Sequence, residues 1–125
     1  MRLVLDAGAL IAVERSDRRV AALIALGRRG GAELVTVAPV VGQAWRDGAR
    51  QARLSRALPM IDVLPVDLDA ARTAGELLRE TGGSDVVDAL VAAAVRPGDQ
   101  VLTSDPDDIA RLLQARQVPA VVVTV

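Results

Sequence analysis

Five short apolar runs alternate with longer helical patterns along the 125-residue chain. Each run is short enough for a buried strand, and the stretches between them repeat their apolar residues at helical spacing. We predict strands over residues 2–5, 33–37, 61–65, 100–103 and 120–124. Strands that alternate with helices over short connections indicate a parallel sheet covered on both faces. The sequence therefore predicts one α/β domain over residues 1–125 with a central, mainly parallel five-stranded sheet.

The helical stretches begin and end at residues typical of helix termini. The predicted helices are residues 7–14, a helix that begins after Ser16 or Asp17 and ends at 28–31, a helical region from 39 to 58 with a break at Gly48, a helix from Asp67 to Gly82, an apolar helix capped by Ser84 that reaches Val95, and residues 106–115.

Composition narrows the chemistry that this domain can perform. The chain has no cysteine and no histidine, which excludes disulfides, thiolate metal sites and the commonest general base. All 15 basic residues are arginine, which reflects either a GC-rich genome or binding of phosphates, and the net charge of −1 provides no overall attraction for nucleic acid. Acidic residues interrupt the N-terminal apolar run and nothing approaches a transmembrane span, so we expect a cytoplasmic protein without membrane contact.

Two aspartates directly follow predicted strands. Asp6 comes after residues 2–5, and Asp105 follows the strand over residues 100–103. Each is also a good N-cap for the helix behind it, and Asp105-Pro106 is a typical cap-plus-proline pair. A capping carboxylate can still offer an oxygen to a metal, so both interpretations remain open.

Asp88 lies inside an apolar helical run from Val86 to Val95. A helix that is apolar nearly all round is buried, and an ionised carboxylate there is costly unless it is paired or binds a metal. The alternative is an ion pair with an arginine. Asp85 precedes it by one turn on the same face, and its alternative is a first-turn acid stabilised by the helix dipole.

These carboxylates are expected to converge. The strands that precede Asp6 and Asp105 would be neighbours in a doubly wound sheet, and the helix bearing Asp88 leads into the second of them. Such a cluster repels itself unless a hard cation binds, and oxygen ligands suit Mg²⁺ or Mn²⁺.

Three segments together resemble the PIN-domain family, in particular the VapC-type toxins of bacterial toxin–antitoxin systems. They are residues 5–10 (LDAGAL), 88–93 (DALVAA) and 102–108 (LTSDPDD). The resemblance implies a three-layer α/β/α PIN-like fold and a Mg²⁺- or Mn²⁺-dependent endoribonuclease. It also implies a cognate small antitoxin as partner, and a homodimer.

The family's acidic residues map onto the chain at three of four positions. The resemblance assigns metal binding and catalysis to Asp6, Asp88 and Asp105, whereas Gln43 stands where the second acid, usually glutamate, is expected. The residues that could compensate for the missing charge or support the site are Asp85 as a further catalytic carboxylate, Glu14, Asp108, and the strand-end hydroxyls Thr103 and Ser104.

A basic stripe is a candidate RNA-binding surface. Arg46, Arg50, Arg53 and Arg56 would share one face if they lay on one continuous helix. The alternative is an ordinary solvated helix face. Trp45 offers a ring for base stacking, although packing is the simpler role for the only aromatic residue.

Three functional hypotheses follow. The first is a metal-dependent ribonuclease toxin that hydrolyses RNA with a metal-activated water. The second is a catalytically impaired PIN-like module that binds RNA or a partner protein, suggested by Gln43. The third is a receiver-like phosphoacceptor domain, which the absence of lysine disfavours.

Overall fold

The computed structural model describes residues 1–125 and contains the five predicted strands among seven α-helices. The elements are β1 (Arg2–Leu5), α1 (Ala7–Glu14), α2 (Arg18–Arg29), β2 (Glu33–Val37), α3 (Ala38–Ala44), α4 (Ala52–Ala57), a 3₁₀ turn (Leu58–Met60), β3 (Asp62–Leu64), α5 (Leu68–Thr81), α6 (Val86–Ala94), β4 (Gln100–Thr103), α7 (Pro106–Arg116) and β5 (Val121–Thr124). Most predicted ends agree to within one residue, because the apolar runs are bounded by capping and turn residues.

All strands pair in parallel, in the order β3-β2-β1-β4-β5. The chain therefore builds outward from β1 to β3 and then returns to place β4 on the other side of β1. Leu5 of β1 is level with Leu102 of β4, so the two strands end together. In open α/β sheets, ligands bind at the carboxyl ends of the strands where the order reverses.

Helices form a layer on each face of the sheet. Helices α2, α3 and α4 pack around α1, whereas α5, α6 and α7 pack against one another. Right-handed crossovers place these two groups on opposite faces, which confirms the three-layer α/β/α architecture. No helix combines the length and the apolar character needed to span a membrane.

The core contains 23 buried apolar residues and no aromatic ring. Small residues let the helices approach the sheet closely. Gly27 of α2 shows this directly, because a Cβ there would lie 2.5 Å from Cδ1 of Leu3 in β1. The aliphatic composition thus allows the helices to pack tightly on the sheet. Because the core is entirely apolar, polar functional groups must lie at the edges of the sheet.

The start of α6 differs from the prediction. Asp85, and not Ser84, is the N-cap: its Oδ1 accepts from the backbone N–H groups of Val87 and Asp88, both at 3.0 Å. The two candidate caps are adjacent in sequence, and the stronger acceptor, a carboxylate, occupies the position.

The predicted break at Gly48 is confirmed, and it extends to a full loop over residues 45–51 between α3 and α4. Trp45 ends α3 in an extended conformation, with φ −79° and ψ 135°. The Gln51 side chain closes the loop by accepting from Arg46 N at 2.7 Å and Asp47 N at 3.0 Å. Gly48 lies against the Trp45 ring, where a Cβ would be 2.9 Å from Cζ2.

Candidate metal centre

Asp6 leaves β1 directly into α1 and is buried, with 3% of its surface exposed. Its Oδ1 accepts from Ala7 N at 2.8 Å, and its Oδ2 accepts from the Thr103 hydroxyl at 2.7 Å. Each carboxylate oxygen can accept more than one hydrogen bond or also ligate a metal. The capping role that the sequence suggested therefore coexists with a position at the switch point of the sheet.

Thr103 fixes this carboxylate. It is fully buried at the end of β4, donates to Asp6 and accepts from Asp105 N at 3.0 Å. From the sequence, an ordinary strand-end hydroxyl was the simpler interpretation of Thr103, whereas in the structure its hydroxyl contacts the Asp6 carboxylate. The strand register explains this contact. Leu5 of β1 pairs with Leu102 of β4, so the next residues along the two strands, Asp6 and Thr103, are level with each other.

Asp105 occupies the N-cap position of α7, but its side chain makes no capping hydrogen bond. Its carboxylate is exposed. The simple capping interpretation of this side chain is therefore wrong, since only the Asp105 carbonyl accepts, from Ile109 N at 3.1 Å. The carboxylate remains available for a ligand.

Asp88 lies in the first turn of α6 and is 5% exposed. None of the protein's ion pairs involves it, so the alternative of an arginine partner is wrong. Its neighbours are instead other carboxylates.

Asp6, Asp88 and Asp105 converge, with one oxygen from each lying within 4.8 Å of the others. Burial raises the pKa of Asp88 to about 7, and the charge of Asp85 followed by those of the other nearby carboxylates adds to the rise. Burial and the Asp6 charge also raise the pKa of Asp105. A hard divalent cation bound by oxygen ligands would remove this repulsion, and these three residues fit such an ion.

Cavities flank the cluster on two sides. One, of about 250 Å³, is lined by Asp85, Asp88 and Asp108 among others. The second, of about 240 Å³, is lined by Ser104, Asp105 and again Asp108. The structure therefore gathers the predicted residues Asp85, Asp108 and Ser104 around the cluster, where a substrate can approach.

Ser104 is held close to α1. It is exposed, and a Cβ added at Gly8 would lie 2.7 Å from its Oγ. Only glycine at position 8 allows α1 to approach the loop between β4 and α7 this closely.

Two other predicted residues have different surroundings. Glu14 accepts from Leu54 N at 2.8 Å, so it binds the first turn of α4 and does not join the carboxylate cluster. Gln43 is exposed on α3. Neither residue supplies a fourth carboxylate to the cluster.

The proposed basic stripe is not continuous, because residues 45–51 interrupt the helix. Arg46 donates to the carbonyls of Gly42 and Trp45, and Arg50 lies 3.7 Å from Asp47. Arg53 and Arg56 are exposed on α4. Trp45 packs against the core, in agreement with its simpler role.

Comparison with known proteins decides the family. The sequence model of the PIN domain matches residues 3–112. This chain belongs to the PIN domain family. A search of curated proteins gives no significant match. Among similar solved structures is VapBC2 from Rickettsia felis bound to a DNA fragment from its promoter, with a TM-score of 0.66 and 12% identity, covering 100% of this chain and 99% of that chain.

That structural likeness shows a shared fold. Membership of the PIN family removes the receiver-like hypothesis and places Asp6, Asp88 and Asp105 in a PIN scaffold.

Proposed function

We propose that this PIN domain is a Mg²⁺- or Mn²⁺-dependent endoribonuclease, the toxin of a VapBC-type pair. The observation that carries the proposal is the convergence of Asp6, Asp88 and Asp105 at the switch point of the sheet. No arginine forms an ion pair with any of the three carboxylates. A bound divalent ion supplies a Lewis acid that acidifies water and neutralises charge on a phosphodiester.

Each residue of the site would have a separate role in this reaction. Asp6, Asp88 and Asp105 would hold the ion, and Thr103 fixes the direction of the Asp6 carboxylate through its 2.7 Å hydrogen bond. Asp85 lines the cavity beside Asp88 and can accept a hydrogen bond from the attacking water. Carboxylates would have to accept and donate the protons of the reaction, since the chain has no histidine.

Cleavage of a mixed-sequence RNA pool in Mn²⁺ tests this proposal. We expect Asp6→Asn to lose at least about 100-fold in rate, because losing a ligand exceeds the effect of losing its supporting contacts. Asp69→Asn, an exposed first-turn acid on α5, serves as the control and retains activity. Cleavage that persists in EDTA, or that Asp6→Asn leaves unchanged, contradicts the proposal.

The second candidate function is an impaired PIN module that binds RNA or a partner, and Gln43 favours it. An amide adds no negative charge to the site, so metal affinity is expected to be lower than with glutamate. Gln43→Glu raising cleavage by more than about tenfold, with no effect from the charge-matched Gln114→Glu on α7, would support this candidate. Strong cleavage by the wild type contradicts it.

We infer that the partner is a small antitoxin. The support is the structural neighbour, whose chains form a VapBC2 complex. If a small gene lies beside the one encoding this chain, co-expression of the two should yield a co-purifying complex with suppressed RNA cleavage. Light scattering of the free protein should give a homodimer, twice the 13.1 kDa chain mass.

A further inference from the structure

The larger cavity beside the cluster lies between α7 and the loop that joins α5 to α6. Asp88 lines this cavity and also belongs to the carboxylate cluster. Any molecule bound at the cluster therefore has direct access to the cavity. Arg111 of α7 is the only basic residue in its lining.

The loop residues that line the cavity include backbone donors without a partner in the protein. Gly82 ends α5 in the left-handed conformation, with φ 70°. The backbone N–H groups of Gly82, Gly83 and Ser84 have no acceptor within the protein. Successive N–H groups around a left-handed residue form a concave surface that favours anions.

Arg111 is held only loosely. Its side chain is 56% exposed and makes one contact, from Nη1 to Asp108 Oδ1 at 3.3 Å. An exposed pair three residues apart on a helix contributes little to stability. The remaining guanidinium N–H groups are free to bind a phosphate.

We propose that Arg111 and the backbone donors of residues 82–84 bind an RNA phosphate adjacent to the one at the carboxylate cluster. This assignment rests on the proposed ribonuclease function. The other charged residues in the lining are the acidic Asp85, Asp88 and Asp108. Arg111 is therefore the substrate-positioning residue, since it is the only charged group of the lining that attracts a phosphate.

The test uses a fluorescein-labelled, mixed-sequence single-stranded RNA of about 12 nucleotides, with binding followed by anisotropy in Ca²⁺. Arg111→Gln should weaken binding about tenfold and lower the salt dependence by about one phosphate contact, while Mn²⁺ affinity stays unchanged. Arg29→Gln, which removes the same charge at the end of α2, is the matched control. Asp108→Asn should tighten binding, because it releases Arg111 and removes a negative charge.

Binding that Arg111→Gln and Arg29→Gln affect equally, or no RNA binding by the wild type, overturns the assignment. Weaker binding by Asp108→Asn also contradicts it. Failure of the ribonuclease proposal gives a different result: RNA binding still depends on Arg111, but the wild type does not cleave RNA in Mn²⁺.

Discussion

Strands β1 and β4 bear buried carboxylates at both ends, and the two ends are built in opposite ways. At the amino end, Asp99 precedes β4 and faces Arg2 of β1, with Nη2 of Arg2 2.7 Å from Oδ2 of Asp99. Arg96 N donates to the same oxygen at 2.8 Å. At the carboxyl end, Asp6 and Asp88 have comparable burial but no basic partner.

The pKa values diverge accordingly. Burial alone would raise the pKa of Asp99, but the hydrogen bonds from Arg2 and Arg96 outweigh it and lower the pKa. For Asp88, burial and neighbouring carboxylates act in the same direction and raise the pKa to about 7. A compensated buried carboxylate supports the fold, whereas an uncompensated group is a candidate for function.

The largest expected effect is a loss of stability caused by a substitution at the amino end of strands β1 and β4. Asp99→Ala leaves Arg2 buried without its partner, which should cost about 3–5 kcal/mol in the free energy of unfolding. Urea denaturation measures this cost, and Glu76→Ala on the exposed face of α5 is the control, with a change within about 0.5 kcal/mol. Equal stability of the two variants would show that the ion pair is dispensable.

The pH dependence of that effect has a definite sign. Because the folded-state pKa of Asp99 lies below its unfolded value of 3.8, its contribution is present above that value and is lost as the pH falls through the folded pKa. The gap between wild type and Asp99→Ala should therefore narrow only in strong acid.

The next prediction distinguishes a loss of metal binding from a general loss of stability. Thr103→Val should reduce Mn²⁺ affinity or cleavage about 10- to 100-fold, since Asp6 loses its supporting hydrogen bond. Thr36→Val is the matched control: Thr36 is equally buried and donates to the Leu5 carbonyl at 2.7 Å. Both variants should lose about 1–3 kcal/mol of stability. Equal metal affinity in the two variants would exclude a role for Thr103 in positioning Asp6.

The smallest expected effect is a gain in stability, whereas substitution of a buried residue usually destabilises a protein. With its folded-state pKa near 7 and an ordinary value of 3.8, Asp88 makes the metal-free protein less stable as the pH rises between these values. Asp88→Asn should therefore stabilise the metal-free protein at about pH 8 by about 1–2 kcal/mol. This is less than the full shift of the pKa would give, because the remaining carboxylates share the titration.

Thermal unfolding in EDTA at several pH values measures this stabilisation. The advantage of Asp88→Asn should shrink towards pH 4 and reverse in saturating Mn²⁺. A variant that is less stable than wild type at high pH in EDTA would contradict the electrostatic description of the cluster.

Local sequence signals predicted the strands and the carboxylate cluster well. Asp6 and Asp105 directly follow apolar runs, and Asp88 is the only charge in its helix, so topology alone brought them together. The Arg2–Asp99 pair escaped prediction because its partners are 97 residues apart and Asp99 resembles an ordinary turn residue after Pro97-Gly98.

One cap was assigned wrongly, and the length of one loop was not predicted; both have local causes. Ser84 and Asp85 are both good caps, and sequence alone does not rank adjacent candidates. The loop over residues 45–51 depends on Gly48 meeting the Trp45 ring and on the hydrogen bonds of Gln51, which helical periodicity does not encode.

Calorimetric titration of Mn²⁺ into the wild type and Asp88→Ala tests the central claim most directly. The convergence of Asp6, Asp88 and Asp105 predicts saturable binding by the wild type that Asp88→Ala abolishes. No saturable binding by the wild type at millimolar Mn²⁺, or equal binding by the two proteins, would contradict the assignment of this cluster as a metal centre.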